Sequence, residues 1–345
     1  MKCPLLALAV ALVLHVSAPP SNAGPEGTGY AILKRLTPGG EGGWDLLAID
    51  PAAHRLYLAR ATRVQVVDAG SGRLVGEIPD MPGAHGVALA PELGRGYASS
   101  GRDSSVTVFD LRTLATLAKI HLEARNPDAI VYDASSRRVF CFNGGSDNAV
   151  VIDATTGRVA GGVALGGKPE LAVADGRGRV YVNLEDSSAV VSFDARTLAL
   201  GSRWPLAPGE EPTGLAIDAV HRRLFAGCSN QHLVVLEADS GRVIADLPIG
   251  RGVDGVAFDP ARGLAFSSNG EGTLSVVREE APDRFLLVGD VPTQRGARTL
   301  ALDPRTHRLY LPAANFGEPP AATPENPHPR PPIVPGSFTI LVVGR

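Results

Sequence analysis

One short apolar segment recurs seven times along this chain and leaves few folds open to it. The copies read Asp45-Leu-Leu-Ala-Ile-Asp50, His85-Gly-Val-Ala-Leu-Ala90, Asp128-Ala-Ile-Val-Tyr-Asp133, Glu170-Leu-Ala-Val-Ala-Asp175, Thr213-Gly-Leu-Ala-Ile-Asp218, Asp254-Gly-Val-Ala-Phe-Asp259 and Arg298-Thr-Leu-Ala-Leu-Asp303. They start 40, 43, 42, 43, 41 and 44 residues apart. Self-similarity at this interval is the period of a propeller blade.

Each repeat divides into four strand-like pieces. In the first these are residues 46–49, 55–58, 64–67 and 73–78, separated by Asp50-Pro-Ala-Ala-His54, a variable loop and Asp68-Ala-Gly-Ser-Gly72. Alternating and β-branched residues bounded by Asp, Gly, Ser and Pro clusters read as strands and turns. No stretch carries a helical period of useful length, so helices are expected to be minor or absent. The seventh repeat supplies strands at 299–302, 308–311 and 338–343, and no fourth strand follows. An orphan strand at 30–36, Tyr-Ala-Ile-Leu-Lys-Arg-Leu, precedes the first repeat. An unpaired edge invites aggregation, and residues 30–36 are the piece that would cover it. The expected fold is all-β: a seven-bladed β-propeller with four-stranded blades, its closing blade completed 3+1 by the N-terminal strand.

The first 23 residues read as a leader. Lys2 is the positive n-region, an apolar run follows, and Ser21-Asn22-Ala23 sets small residues before a cleavage point. The run is shorter than the roughly 20 residues a membrane span needs. Cys3 precedes it, which argues against a lipid anchor. The expectation is a periplasmic or secreted protein with residues 24–345 as one propeller domain. Its net charge of about −4 is spread rather than clustered, which makes nucleic acid an unsuitable partner. Cys141 and Cys228 lie two blades apart, beyond the roughly 7 Å that a disulfide allows, and are expected as free, buried thiols.

In such a fold the a–b and c–d turns share one face, and the d–a and b–c loops share the other. The second set varies here in length and chemistry, and variable loops on a rigid scaffold are where binding sits. The residue opening each innermost strand should stand at the channel mouth on that variable face. Six of the seven are ionisable: Asp45, His85, Asp128, Glu170, Asp254 and Arg298. Neighbouring acids on the order of 8 Å apart would repel by about 2 kcal/mol, favouring a cation such as calcium at the mouth. Wet, polar channel lining is the plain alternative. His54, His221 and His307 fall in a–b turns, each followed by Arg, and read as structural. Residues 316–336 of the last repeat hold eight prolines and read as an extended, unpaired insertion, either a linker or a strap carrying Glu318, His328 and Arg330.

Blade four reads Arg179-Val-Tyr-Val-Asn183 and Val190-Val-Ser-Phe-Asp194-Ala-Arg-Thr, and blade three reads Arg138-Val-Phe-Cys-Phe-Asn143 and Ala149-Val-Val-Ile-Asp153-Ala-Thr-Thr-Gly157. These resemble the exported bacterial YVTN-repeat, or YncE-like, propellers, although no repeat spells Tyr-Val-Thr-Asn in full. The resemblance implies a seven-bladed extracytoplasmic propeller. Propellers of similar shape serve as the heavy subunit of methylamine dehydrogenase, the haem domain of nitrite reductase and a bacterial lactonase, so the fold alone does not fix a function. There is no Gly-x-Ser-x-Gly motif and no paired-ligand zinc motif. The reading that follows is a non-catalytic platform binding a protein or small ligand on the variable face. The alternatives are a metal-assisted hydrolase of lactonase type and a propeller subunit of a redox complex.

Overall fold

Continuous apolar runs such as Leu56 to Ala59 give each repeat two apolar faces, and each face is buried against a neighbouring repeat. The computed structural model describes residues 27–323, 327 and 329–345. The leader expected over residues 1–23 lies outside the described residues. Seven four-stranded antiparallel sheets form the ring. Blade 1 runs through Leu47–Asp50, Arg55–Arg60, Arg63–Asp68 and Leu74–Ile78, and blades 2 to 6 repeat that order. The seventh sheet holds Ala301–Asp303, Arg308–Ala313 and Thr339–Gly344, with Ala31–Leu36 paired antiparallel to the last, Ala31 opposite Gly344 and Leu36 opposite Ile340.

The core lies between blades. Tyr181 and Trp204 of blade 4 pack with Leu215, Leu224 and Leu236 of blade 5, and Phe140 of blade 3 meets Phe193 of blade 4 edge-on at 5.2 Å. Cys141 and Cys228 are buried and free. No helix among the described residues is long and apolar enough to cross a membrane. The helical structure found there is one 3-10 turn, Pro91–Leu93.

Three details depart from what the repeat pattern predicts. The innermost strand of blade 7 begins at Ala301, two residues later than expected. The proline-rich insertion is not wholly unpaired: Phe316 bridges Ile333, with Gly317 N–H donating to Pro332 O at 2.9 Å and Val334 N–H to Asn315 O at 2.9 Å. Its non-proline N–H groups are the donors, so the loop is pinned at its base. Finally, His221 does not share the turn position of His54 and His307. Those two occupy the left-handed fourth place after the strand-ending Asp, at φ 53° and 57°, where blade 5 has Arg222 at φ 60°.

The chain ends are clasped around one aromatic ring. Tyr30 packs edge-on to Phe266 of blade 6 at 5.1 Å, the Arg345 guanidinium lies 4.6 Å from its centroid, and Arg262 donates to its hydroxyl at 3.0 Å. Arg345 also donates twice to Thr28 O. Truncating a buried aromatic costs about 3–5 kcal/mol, so Tyr30→Ala is expected to lower unfolding free energy in denaturant by that order. A loss under about 1 kcal/mol would contradict a stabilising role for the paired ends.

Candidate functional site

Seven innermost strands meeting around one channel leave little space beside the backbone. A Cβ on Gly86 would stand 2.9 Å from Asp128 O, and one on Gly255 would stand 3.0 Å from Leu300 N. Only glycine fits such approaches. Side chains and backbone stitch the same level together. Ser99 Oγ accepts from Gly86 N–H and donates to Asp128 O at 2.5 Å, Thr299 Oγ1 donates to Asp45 O at 3.0 Å, and Leu46 N–H donates to His85 O at 3.0 Å. With the following residue locked against the next blade, the preceding side chain is directed to the mouth.

That mouth is a cavity of about 420 Å³ lined by Asp45, His85, Asp128, Glu170, Asp254 and Arg298, together with Leu46, Leu171 and Arg330. All six ionisable ring residues expected from the repeat therefore share one cavity. Thr213 turns away, donating from Oγ1 to Val253 O at 2.7 Å.

The acids are not left to repel one another. His85 Nδ1 stands 2.6 Å from Asp45 Oδ2 and 3.8 Å from Asp128 Oδ1. Arg298 Nε donates to Asp254 Oδ2 at 2.6 Å and its NH2 lies 3.5 Å from Asp45 Oδ1. Lys168, in the loop before blade 4, is 3.0 Å from Glu170 Oε1 and pairs with Glu185 as well. His85 and Arg298, expected in the ring with the four acids, are joined by Lys168 from a loop. Lys168 and Glu185 lie off the repeating slot, so the period could not have found them.

The ring side chains keep between 17 and 36 % of their surface exposed. Burial pushes Asp128 up to about 6, with His85 opposing, and drives Asp254 upward. Burial also lifts Glu170 well above the usual carboxylate range against the pull of Lys168. The hydrogen bond that His85 donates to Asp45 raises His85. Burial thus disfavours the charged forms of Asp128 and Glu170, and a cation at the mouth would favour them. Donor atoms of Asp45, His85 and Asp128 fall within 4.8 Å of one another. Calcium fits this set poorly, because it takes six to eight oxygens and an imidazole is one of the three converging donors.

A second cavity of about 350 Å³ adjoins the first and shares Arg298 and Arg330 with it. It is lined also by Trp44, Phe316, Ile333 and Arg295. The Trp44 ring packs on Phe338 at 5.5 Å and Phe316 at 6.1 Å, and its buried indole N–H has no hydrogen-bond partner among the described residues. Buried Arg60 fixes the approach to this slot: it donates to the carbonyls of Gly40, Gly42 and Gly43 while stacking 3.6 Å over Phe338. The proline-rich insertion therefore reaches the mouth through Arg330 and lines the adjoining cavity through Phe316. His328, which the insertion also carries, lies outside the described residues.

No protein-family model and no curated protein sequence matches the chain. Solved structures do. The chain is similar to a chain of hydrazine synthase from Kuenenia stuttgartiensis (TM-score 0.67, 15% identity, 78% of this chain and 92% of that one). It is similar to a chain of the mitotic checkpoint complex (TM-score 0.71, 15% identity, 89% and 95%) and to the WD40 repeats of RRP9 (TM-score 0.75, 10% identity, 91% and 98%). At such identities the likeness is one of fold, a WD40-like propeller.

Asp128 supplies a test of the mouth's electrostatics. Its folded value of about 6 stands above the ordinary 3.8, so the stability it contributes is complete below the unfolded value and is lost as pH rises through about 6. Asp128→Asn cannot ionise. Its melting temperature relative to the parent is expected to rise between about pH 4.5 and about pH 7.5, and a constant difference would contradict the assignment.

Proposed function

We propose that this chain is an exported, non-catalytic propeller that binds a small zwitterionic ligand, such as an amino acid or short peptide, at the mouth of its variable face. The observation that carries the reading is the pairing of two unlike cavities across a shared wall. On one side lie Asp128 and Glu170, whose charged forms burial disfavours and a cation would favour. On the other, Arg295 and Arg330 have no hydrogen bond or ion pair among the described residues, beside an unpartnered indole N–H and the Trp44–Phe316 aromatic wall. An ammonium group suits the first cavity, a carboxylate the arginines and the indole, and an apolar side chain the aromatic wall.

Export rests on the leader-like residues 1–23, and the YVTN-repeat resemblance supports the same compartment. Propellers commonly serve as rigid scaffolds for variable loops, which fits a binding role and leaves the choice of ligand to the loops.

Isothermal titration of the mature protein with L-phenylalanine, its N-acetyl form and its amide tests the reading. The free amino acid is expected to bind, and masking either charged group to weaken it about 10- to 100-fold, the loss of one charge-assisted contact. Arg330→Ala is expected to erase the difference between acid and amide, and Asp128→Asn with Glu170→Gln the difference between amine and N-acetyl. Absence of binding by amino acids and short peptides at millimolar concentration would overturn the proposal, as would affinities indifferent to these substitutions.

A further inference from the structure

On the opposite, turn-bearing face the blades are latched by charge. The Asp that ends an innermost strand uses one oxygen to cap its own a–b turn, as Asp218 Oδ1 does for Val220 N–H at 2.9 Å. At two junctions the other oxygen is met by the fourth residue of the next blade's turn. Arg222 NH1 reaches Asp175 Oδ2 at 2.8 Å across blades 5 and 4, and His307 Nδ1 reaches Asp259 Oδ2 at 2.8 Å across blades 7 and 6.

Between blades 5 and 6, the junction that lies between those two, there is no such latch. The corresponding residue is Gly263, at φ +60°, and a cavity of about 350 Å³ stands there, lined by Gly263, Asp218, His221 and Glu279 among others. Glu279 comes from Thr273–Ala281, which with Arg284–Pro292 makes a hairpin of nine-residue strands that overhangs this face. Arg223 holds the hairpin tip through Pro282 O at 2.6 Å and Asp283 Oδ1 at 2.7 Å. The result is a second buried acid facing Asp218 where a cation would be expected.

Asp218 and Glu279 side chains are 2 % and 4 % exposed. Asp218 Oδ2 and Glu279 Oε1 accept no hydrogen bond of acceptable geometry, although His221 Nδ1 stands 2.7 and 3.0 Å from them. The three donor atoms lie within 4.8 Å of one another. Burial and the neighbouring Asp218 carboxylate push Glu279 above the usual carboxylate range. Two buried oxygens and an imidazole nitrogen that crowd one point without hydrogen-bonding are spaced like donors around one ion. Adjacent donors held at about 2.1 Å from a first-row metal stand roughly 3 Å apart.

We propose that Asp218, His221 and Glu279 bind a divalent first-row transition cation, such as zinc, which takes the place of the absent latch between blades 5 and 6. The mixed nitrogen and oxygen set suits zinc better than calcium or magnesium. Half-exposed His221 and the cavity leave one side of the ion open to solvent or to an outside ligand.

The test is zinc titration, by calorimetry, of the full mature protein after chelator treatment and buffer exchange. Asp218 is left intact because it caps a turn. The parent is expected to bind one zinc per chain at this site and to melt at a higher temperature when loaded. His221→Ala, a change at an exposed side chain, and Glu279→Gln should each weaken that ion at least 10-fold, while His85→Ala, at the opposite mouth, should leave it in place. Failure of zinc and manganese to bind would overturn the proposal. So would binding that survives both substitutions, or binding that disappears in His85→Ala.

Discussion

The closeness of the seven innermost strands around the channel governs the rest of the molecule. At Gly86 and Gly255 a single added carbon would press on the next blade's backbone, and Ser99 and Thr299 bond directly to the neighbouring blade's carbonyls. Such contacts fix each innermost strand in height as well as position. A residue one place before the locked level is then held at the rim of the channel, whatever its chemistry. The charges collected there follow from this geometry: an unrelated set of side chains, supplied one per blade, becomes one cavity.

Charge is used differently on the two faces. On the turn face it joins blades, as in Arg222 with Asp175 and His307 with Asp259, where each partner is satisfied by the other. At the mouth the pairs are incomplete. Burial keeps Asp128 and Glu170 reluctant to ionise, and Arg295 and Arg330 stand without partners among the described residues. Polar groups left in that condition lower stability unless something else meets them, which is the usual mark of a surface shaped for a ligand. Between blades 5 and 6 the pairing is likewise incomplete, since Gly263 withholds the side chain that Asp218 would otherwise meet.

The repeat makes the architecture legible. A slot that recurs seven times in register falls on one face of the ring by periodicity alone, and so the period by itself groups Asp45, His85, Asp128, Glu170, Asp254 and Arg298. Residues off the period are invisible to that reasoning. Lys168 and Glu185 sit in loops of unrepeated length, Trp44 precedes the first slot, and Glu279 belongs to a hairpin longer than the blade it extends. Charge counting is incomplete at the mouth because it registers the four acids, His85 and Arg298 of the slot and misses Lys168, which a loop brings beside Glu170. Periodicity misplaces His221 by one residue for a related reason: His-Arg pairs in three turns look equivalent, while the left-handed position that defines the turn is held by Arg222 in blade 5. Proline content likewise hides the short bridge from Phe316 to Ile333, which depends on N–H groups that lie between the prolines.

A crystal structure of the mature protein grown with L-phenylalanine addresses the central claim most directly. The account predicts one amino acid at the mouth, its ammonium between Asp128 and Glu170, its carboxylate at Arg330, and its ring against Trp44 and Phe316. Ordered water alone in that cavity, or the amino acid bound elsewhere on the ring, would contradict it.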